Sequence, residues 1–144
     1  MKVLTALFVL VATVSILGCG SGQPWSPVPI RGKITYEDGS LIPAQSIRLY
    51  FSSQEPPKDS ATVPRRGVVD VNVADGTFKE ATTYRFGDGL IPGKHRVTVA
   101  ASDSAGPNVG TGSKGVPREY ASGTDTPLII DTADAPLEIK IRKP

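Results

Sequence analysis

Alternation of apolar and polar residues at every second position constrains this sequence more than any other feature. Between residues 30 and 36, Ile34 and Tyr36 fall on one side, and Lys33 and Thr35 fall on the other. A period of two is typical of a half-buried β-strand. The same reading predicts further strands at residues 46–51, 67–73, 77–83, 94–101, 128–131 and 137–141. We therefore predict about seven strands and no substantial helix.

Turn-forming residues separate these segments. Asp38-Gly39 and Asp75-Gly76 are hairpin signals, because glycine readily adopts the positive φ that a tight turn needs. Pro92-Gly93 is expected to turn the chain into the long strand 94–101. Short strands at this spacing favour an all-β fold, specifically a seven-stranded Greek-key-type β-sandwich.

The order of these signals resembles a known family, the carboxypeptidase regulatory-like (transthyretin-like, prealbumin-type) sandwich. The resemblance covers residues 30–101 and depends on Gly32-x-Ile34, Asp38-Gly39, Asp75-Gly76-x-Phe78 and Pro92-Gly93-x-x-x-Val97-x-Val99. The chain departs from that pattern at His95 and Arg96, near the place where the family has an aromatic residue. Domains of this family usually accompany an enzyme or a receptor.

The first 18 residues have the pattern of an export signal. Lys2 precedes an apolar run from Val3 to Leu17. A helix of about 15 residues at about 1.5 Å each is shorter than the roughly 30 Å hydrocarbon core of a bilayer. We therefore predict a secretory signal peptide rather than a transmembrane span.

The run ends in Ile16-Leu17-Gly18-Cys19-Gly20, which resembles the lipobox of bacterial lipoproteins. The resemblance implies a diacylglycerol on Cys19, the single cysteine. The alternative is an ordinary signal peptide in which Cys19 is incidental. Because Gly20 is not Asp, the resemblance favours the outer membrane over the inner membrane. The predicted organisation is a lipoprotein signal peptide (1–18), a lipidated tether (19–28) and a β-sandwich domain (29–144).

Charge and cysteine content exclude several classes of protein. The formal net charge is +2, and no face or arm concentrates the basic residues. Nucleic-acid binding normally requires a basic patch, so we expect no nucleic-acid partner. One cysteine cannot form an intramolecular disulfide.

Residues for catalysis or metal binding are scarce. His95 is the only histidine, and metal sites need several convergent ligands. We expect His95 to have a surface or satisfied structural role, and we predict no catalytic residue, metal or cofactor. The G-x-G-x-x-G stretch 110–115 lacks a following helix, because Pro117 comes where one would grow. The acids Asp103, Asp125, Asp131 and Asp134 are expected to be exposed turn residues rather than calcium ligands.

By elimination, the sequence predicts a lipid-anchored cell-envelope protein whose β-domain is a non-catalytic interaction or structural module. Its partners would be the membrane, through the lipid on Cys19, and an unidentified envelope protein or glycan. The alternative is a carbohydrate or small-ligand binder that uses loops 52–65 and 102–126, with Tyr84, Phe86 and Tyr120 as candidate aromatic contacts. Within the second loop, Pro117 is expected to begin one helical turn, and Tyr120 to fold over the sandwich edge and bond to the backbone.

Overall fold

The computed structural model describes residues 22–104 and 115–144. The predicted signal peptide and Cys19 lie outside the described residues. The strands are β1 (Arg31–Tyr36), β2 (Ser46–Ser53), β3 (Gly67–Val71), β4 (Thr77–Lys79), β5 (Lys94–Ser102), β6 (Ile129–Asp131) and β7 (Leu137–Ile141). A short helix, α1 (Arg118–Ala121), precedes β6, and a 3-10 turn (Thr132–Asp134) follows it. In these residues no helix is long and apolar enough to cross a bilayer.

The strands form one mixed sheet in the order β6-β5-β2-β3-β4-β1-β7. All neighbouring pairs are antiparallel except β1 and β7, which run parallel with Gly32 beside Leu137. β3 and β4 pair through a single position, Val71 opposite Phe78. The predicted all-β class is confirmed, and the sheet is nearly closed in the manner of a barrel.

Alternation along the strands produces the core. Leu49 and Phe51 of β2 are fully buried, as are Val97 and Val99 of β5 and Ile141 of β7. The inward residues of β1 to β5 and β7 belong to one hydrophobic cluster. A sheet whose strands share one core must wrap around it, because each strand buries only one of its faces. The inward faces predicted from the period of two are therefore confirmed.

The two Asp-Gly pairs have different roles. Asp75-Gly76 connects β3 and β4, with Gly76 at φ +77° and its N–H donating to the Asn72 carbonyl at 2.7 Å. Asp38-Gly39 forms a tight turn as well, but β1 does not pair with β2. The prediction that Asp38-Gly39 closes a hairpin is wrong, because β1 is paired on both sides by β4 and β7.

The strand predicted at 77–83 is interrupted. β4 ends at Lys79, and Glu80 adopts a left-handed φ of +61°. Val71 pairs with Phe78, but Val68 bridges to Thr82, so one additional residue lies on the second strand. This arrangement is a β-bulge, which bends the strand and re-aims its side chains.

Residues 115–126 connect distant parts of the sheet. The Tyr36 hydroxyl donates to the Gly115 carbonyl at 2.5 Å, and the Thr126 hydroxyl donates to the Val97 carbonyl at 2.7 Å. Helix α1 begins after Pro117, and Tyr120 is 4% exposed. Its hydroxyl accepts a hydrogen bond from the Arg142 backbone N–H at 3.3 Å. The predicted helical turn and backbone contact of Tyr120 are confirmed.

Candidate functional site

A groove of about 890 Å³ lies on the outward surface of the sheet. It crosses β1, β3 and β4 and reaches the beginning of β7 and the loop that carries Phe86. The lining includes Arg31, Lys33, Arg48, Val68, Asp70, Asn72, Thr77, Phe78, Lys79, Glu80, Thr82, Phe86 and Glu138. Its volume lies within the roughly 300–1,000 Å³ typical of small-molecule sites.

Strand register brings two cations together in this groove. Arg31 of β1 is directly opposite Lys79 of β4, and both side chains are exposed. Directly opposite positions place Cβ atoms about 4.5–5.5 Å apart, and like charges there are destabilising. Neither side chain makes a hydrogen bond or an ion pair with any residue that the structure describes.

The other cations of the groove, Arg48 and Lys33, lie beside acidic residues. Arg48 and Asp70 form a two-pronged ion pair, with Nε–Oδ1 at 2.6 Å and Nη2–Oδ2 at 3.1 Å. Lys33 is in register with Glu138 of β7. Glu80, in the bulge, is the remaining acid along the groove. The Arg31–Lys79 pair is therefore a local concentration of positive charge.

Phe86 is the most prominent apolar side chain on the described surface, with 87% of it exposed. Its loop is fixed by Asp88, whose carboxylate accepts hydrogen bonds from three backbone N–H groups at 2.8–3.0 Å, those of Thr83, Tyr84 and Arg85. The Gly87 N–H also donates to the Thr82 hydroxyl at 3.0 Å. An exposed aromatic side chain is thus presented by an ordered loop.

The surroundings of the Asp88 carboxyl lower its pKa. Burial raises its pKa, but the hydrogen bonds from Thr83, Arg85 and Tyr84 outweigh burial and hold the pKa below its ordinary value. Hydrogen bonds to the charged form of a carboxyl stabilise that form. The loop is consequently organised by an ionised side chain.

His95 lies inside the core rather than on the surface, with 1% exposure. Its Nε2 is 2.6 Å from the Ile91 carbonyl, and a carbonyl can only accept, so Nε2 carries the hydrogen. Nδ1 is buried without a hydrogen-bond partner among the described residues. The ring meets Phe51 edge-on at 6.3 Å between centroids. His95 therefore packs in the core and holds the turn before β5, with one nitrogen left unsatisfied.

Metal binding receives no support in the described part of the chain. There, no three His, Cys, Asp or Glu side chains come close enough together to hold an ion. The Asp131 carboxylate accepts from the Ala133 N–H, and Asp125 accepts from the Ser122 hydroxyl. These two acids therefore stabilise their own turns. Most of the glycine-rich stretch 110–115 lies outside the described residues.

Only part of the two loops proposed for ligand binding can be compared with the groove, because residues 105–114 of the second loop lie outside the described residues. Tyr120 is buried, so it is not available as an exposed contact in loop 102–126. Tyr84 is half-buried, with the Arg65 guanidinium 5.4 Å from its ring centroid. In loop 52–65, Lys58 lies 5.1 Å from the Trp25 ring centroid. Only Phe86, among the three aromatic residues singled out from the sequence, is exposed at a concave surface.

Comparison of the chain with family models, with curated proteins and with solved structures finds no match. Any assignment of function therefore has to come from the chain's own residues.

The groove itself was missed by sequence reasoning. Arg31 and Lys79 are distant in sequence, and only the β1–β4 register brings them opposite each other. Arg31 and Lys33 alternate with apolar residues in the sequence, but that pattern does not specify which strand lies beside β1. Nothing in the sequence indicates the bulge at Glu80.

Proposed function

We propose that this protein is a lipid-anchored module of the bacterial cell envelope that binds a partner through the groove over β1, β3 and β4 and performs no catalysis. The observation that carries the proposal is Phe86, an aromatic side chain 87% exposed beside a groove of about 890 Å³. Leaving a large apolar side chain in water gives up about 1.5–3 kcal/mol of burial free energy. A binding partner that covers the ring recovers this free energy.

The order of the Phe86 loop supports a binding role. Asp88 and Thr82 fix the backbone on both sides of Phe86. A loop whose backbone is already fixed loses little conformational entropy when a partner binds it. The loop is therefore suited to present Phe86 to a partner.

The anchor and location in this proposal come from residues 1–20. Their resemblance to an export signal and a lipobox implies a diacylglycerol on Cys19, a signal peptide before it and a location at the envelope, with the outer membrane favoured. Two or more acyl chains would hold the module stably at a bilayer surface. Metabolic labelling with a clickable fatty acid is expected to label the wild-type protein and to miss Cys19→Ala. A mature protein that carries no acyl mass would overturn the anchor.

A kinship with the transthyretin-like sandwich is part of the same proposal. Strands β6-β5-β2-β3 are joined to strands β4-β1-β7 by one strand pair, Val71 with Phe78, and by the bridge from Val68 to Thr82 beyond the bulge. Phe51 of β2 lies 6.3 Å from Phe78 of β4, between ring centroids, across the core. Two such portions of a sheet can serve as facing layers of a sandwich. An experimental structure with β3 and β4 fully paired along their length would overturn this part.

Site-specific photo-crosslinking in intact cells tests the binding surface. Thr77, which is exposed in the groove, is replaced by a photo-crosslinking amino acid, and exposed Ser60 is replaced as the matched control. We expect a discrete adduct from position 77 and none from position 60, with the position-77 adduct lost on adding Phe86→Ala. Equal adducts from both positions, or no adduct from position 77, would contradict the proposed surface.

A further inference from the structure

The ligand class of the groove can be inferred from three of its features: paired cations, an exposed aromatic ring and a polar wall. This inference rests on the proposed function, because it takes the same groove as the binding surface. Each feature restricts the chemistry of the occupant. Together they select one class.

The first feature is the uncompensated pair of Arg31 and Lys79. Register places them opposite each other, and neither has an anionic partner among the described residues. Arg48, in the same groove, shows the contrast, because Asp70 neutralises it at 2.6 Å. A carboxylate or sulfate placed between Arg31 and Lys79 would remove their repulsion and accept charge-assisted hydrogen bonds from both.

The second feature is the Phe86 ring. Its face carries partial negative charge and its surface is apolar, so it attracts the C–H groups of a ring that lies flat against it. Val68, Pro136 and Leu137 also line the groove, so an occupant meets further apolar surface besides Phe86. A sugar ring has an apolar face of C–H groups and a rim of hydroxyls, so it can contact both this apolar surface and the polar wall.

The third feature is the polar wall. Asn72, Thr77 and Thr82 line the groove. The Asn72 amide oxygen accepts from the Ala74 N–H at 3.1 Å, so its NH2 group can donate to a ligand. The Thr77 hydroxyl donates to the Asp75 carboxylate at 2.7 Å, so its oxygen can accept. These groups match the hydroxyls of a saccharide. The Thr82 hydroxyl already accepts from the Gly87 N–H, so its own hydrogen points elsewhere and can be donated.

The strand order argues against an extended peptide. Peptides commonly bind sheets by adding a strand to an open edge. The strands that carry the groove's centre, β3, β4 and β1, each have a neighbour on both sides. A ligand in this groove is therefore recognised by side chains rather than by the backbone of an open strand edge.

We propose that the groove binds an acidic saccharide, with the anionic substituent held between Arg31 and Lys79 and a sugar ring stacked on Phe86. Glu80 is the acid that works against such a ligand. Carboxylated and sulfated sugars share the required chemistry.

Titration calorimetry on the full-length protein in detergent micelles tests this inference. The probes are trigalacturonate, its fully methyl-esterified form and a sulfated trisaccharide. We expect trigalacturonate or the sulfated sugar to bind, and the neutral ester to bind at least tenfold more weakly. Whichever acidic probe binds more tightly identifies the anionic group. Failure of both acidic probes to bind, or equal binding of the ester, would overturn the inference.

Single substitutions test whether the saccharide binds in the groove. Lys79→Gln and Arg31→Gln are each expected to weaken binding about tenfold, and Phe86→Ala by a similar factor. Glu80→Gln should tighten it. The matched control is Lys140→Gln, an exposed lysine on β7 outside the groove, which should leave affinity unchanged. An equal loss from Lys140→Gln would mean general charge attraction and would overturn the site.

The outcome is separable from that of the proposed function. A crosslinked adduct at position 77 in cells, combined with no binding of acidic saccharides, would leave the binding surface in place and remove this ligand class. Absence of the adduct would remove the surface itself.

Discussion

Two loops of this protein place an aromatic residue in opposite ways, Phe86 in one and Tyr120 in the other. In residues 82–89, a carboxylate holds the backbone and Phe86 is left in solvent. In residues 115–126, the aromatic residue itself is the anchor, because Tyr120 is buried and its hydroxyl accepts from the Arg142 backbone. A loop that is ordered by polar groups can leave its aromatic side chain available for binding. A loop that is ordered by its aromatic side chain cannot.

The largest expected effect on stability is from Tyr120→Ala. Truncating a buried large aromatic side chain costs about 3–5 kcal/mol in free energy of unfolding. Tyr120→Phe keeps the ring and loses only the two long hydrogen bonds that the hydroxyl accepts from Arg142, so a loss of about 1 kcal/mol is expected. Urea denaturation followed by circular dichroism measures both. A loss under about 1 kcal/mol for Tyr120→Ala would contradict the anchoring role.

Asp88→Ala is expected to have the next largest effect. It removes the acceptor of three backbone N–H groups, and hydrogen bonds to a charged group contribute about 1.5–3 kcal/mol. Because water can reach part of this loop, we expect a loss of about 2 kcal/mol in the free energy of unfolding. Binding at the groove should weaken as well, since Phe86 loses its fixed position. Unchanged crosslinking from position 77 in this variant would contradict the claim that Asp88 positions Phe86 for binding.

Lowering the pH should destabilise the loop of residues 82–89 more than the loop of residues 115–126. The pKa of Asp88 is lowered in the folded protein, so its contribution to stability is complete above the ordinary value of 3.8 and is lost as the pH falls through the folded pKa. Stability curves between about pH 6 and 2 should therefore fall less steeply at the acid end for Asp88→Asn than for wild type. Tyr120→Phe provides the control and should keep the wild-type slope. Parallel curves for all three proteins would contradict this role of Asp88.

The smallest expected effect on stability is from Phe86→Ala. The side chain is 87% exposed, and exposed substitutions usually change the free energy of unfolding by less than about 0.5 kcal/mol. The same variant should nevertheless lose its crosslinked adduct. Thermal melting and crosslinking on the same sample separate the two effects. A destabilisation comparable to that of Tyr120→Ala would mean that the two loops do not differ.

The sequence was most informative where burial follows a simple period. Alternation in 46–51 and 94–101 correctly predicted the inward residues of β2 and β5, because side chains of a strand alternate between its faces. The same period placed His95 beside Val97 and Val99, and all three are buried. Asp75-Gly76 also correctly located a turn, since Gly76 has the positive φ that its position needs.

Features that depend on pairing between distant segments could not be read from the sequence. Periodicity does not specify which strand lies beside which, so the Asp38-Gly39 turn was interpreted as a hairpin although β1 pairs with β4 and β7. The bulge at Glu80 was missed because glutamate has no preference for a left-handed φ. The groove depends on both features, and so it could not be predicted.

The parallel pairing of β1 with β7 joins the first strand to the last. Closing so long a loop is entropically unfavourable, and folds with many such distant contacts fold slowly. Ile34 of β1 is in register with Ile139 of β7, and both side chains are buried in the same cluster. β1 therefore completes its pairing only when residues 137–141 reach it, which makes this contact a late step of folding.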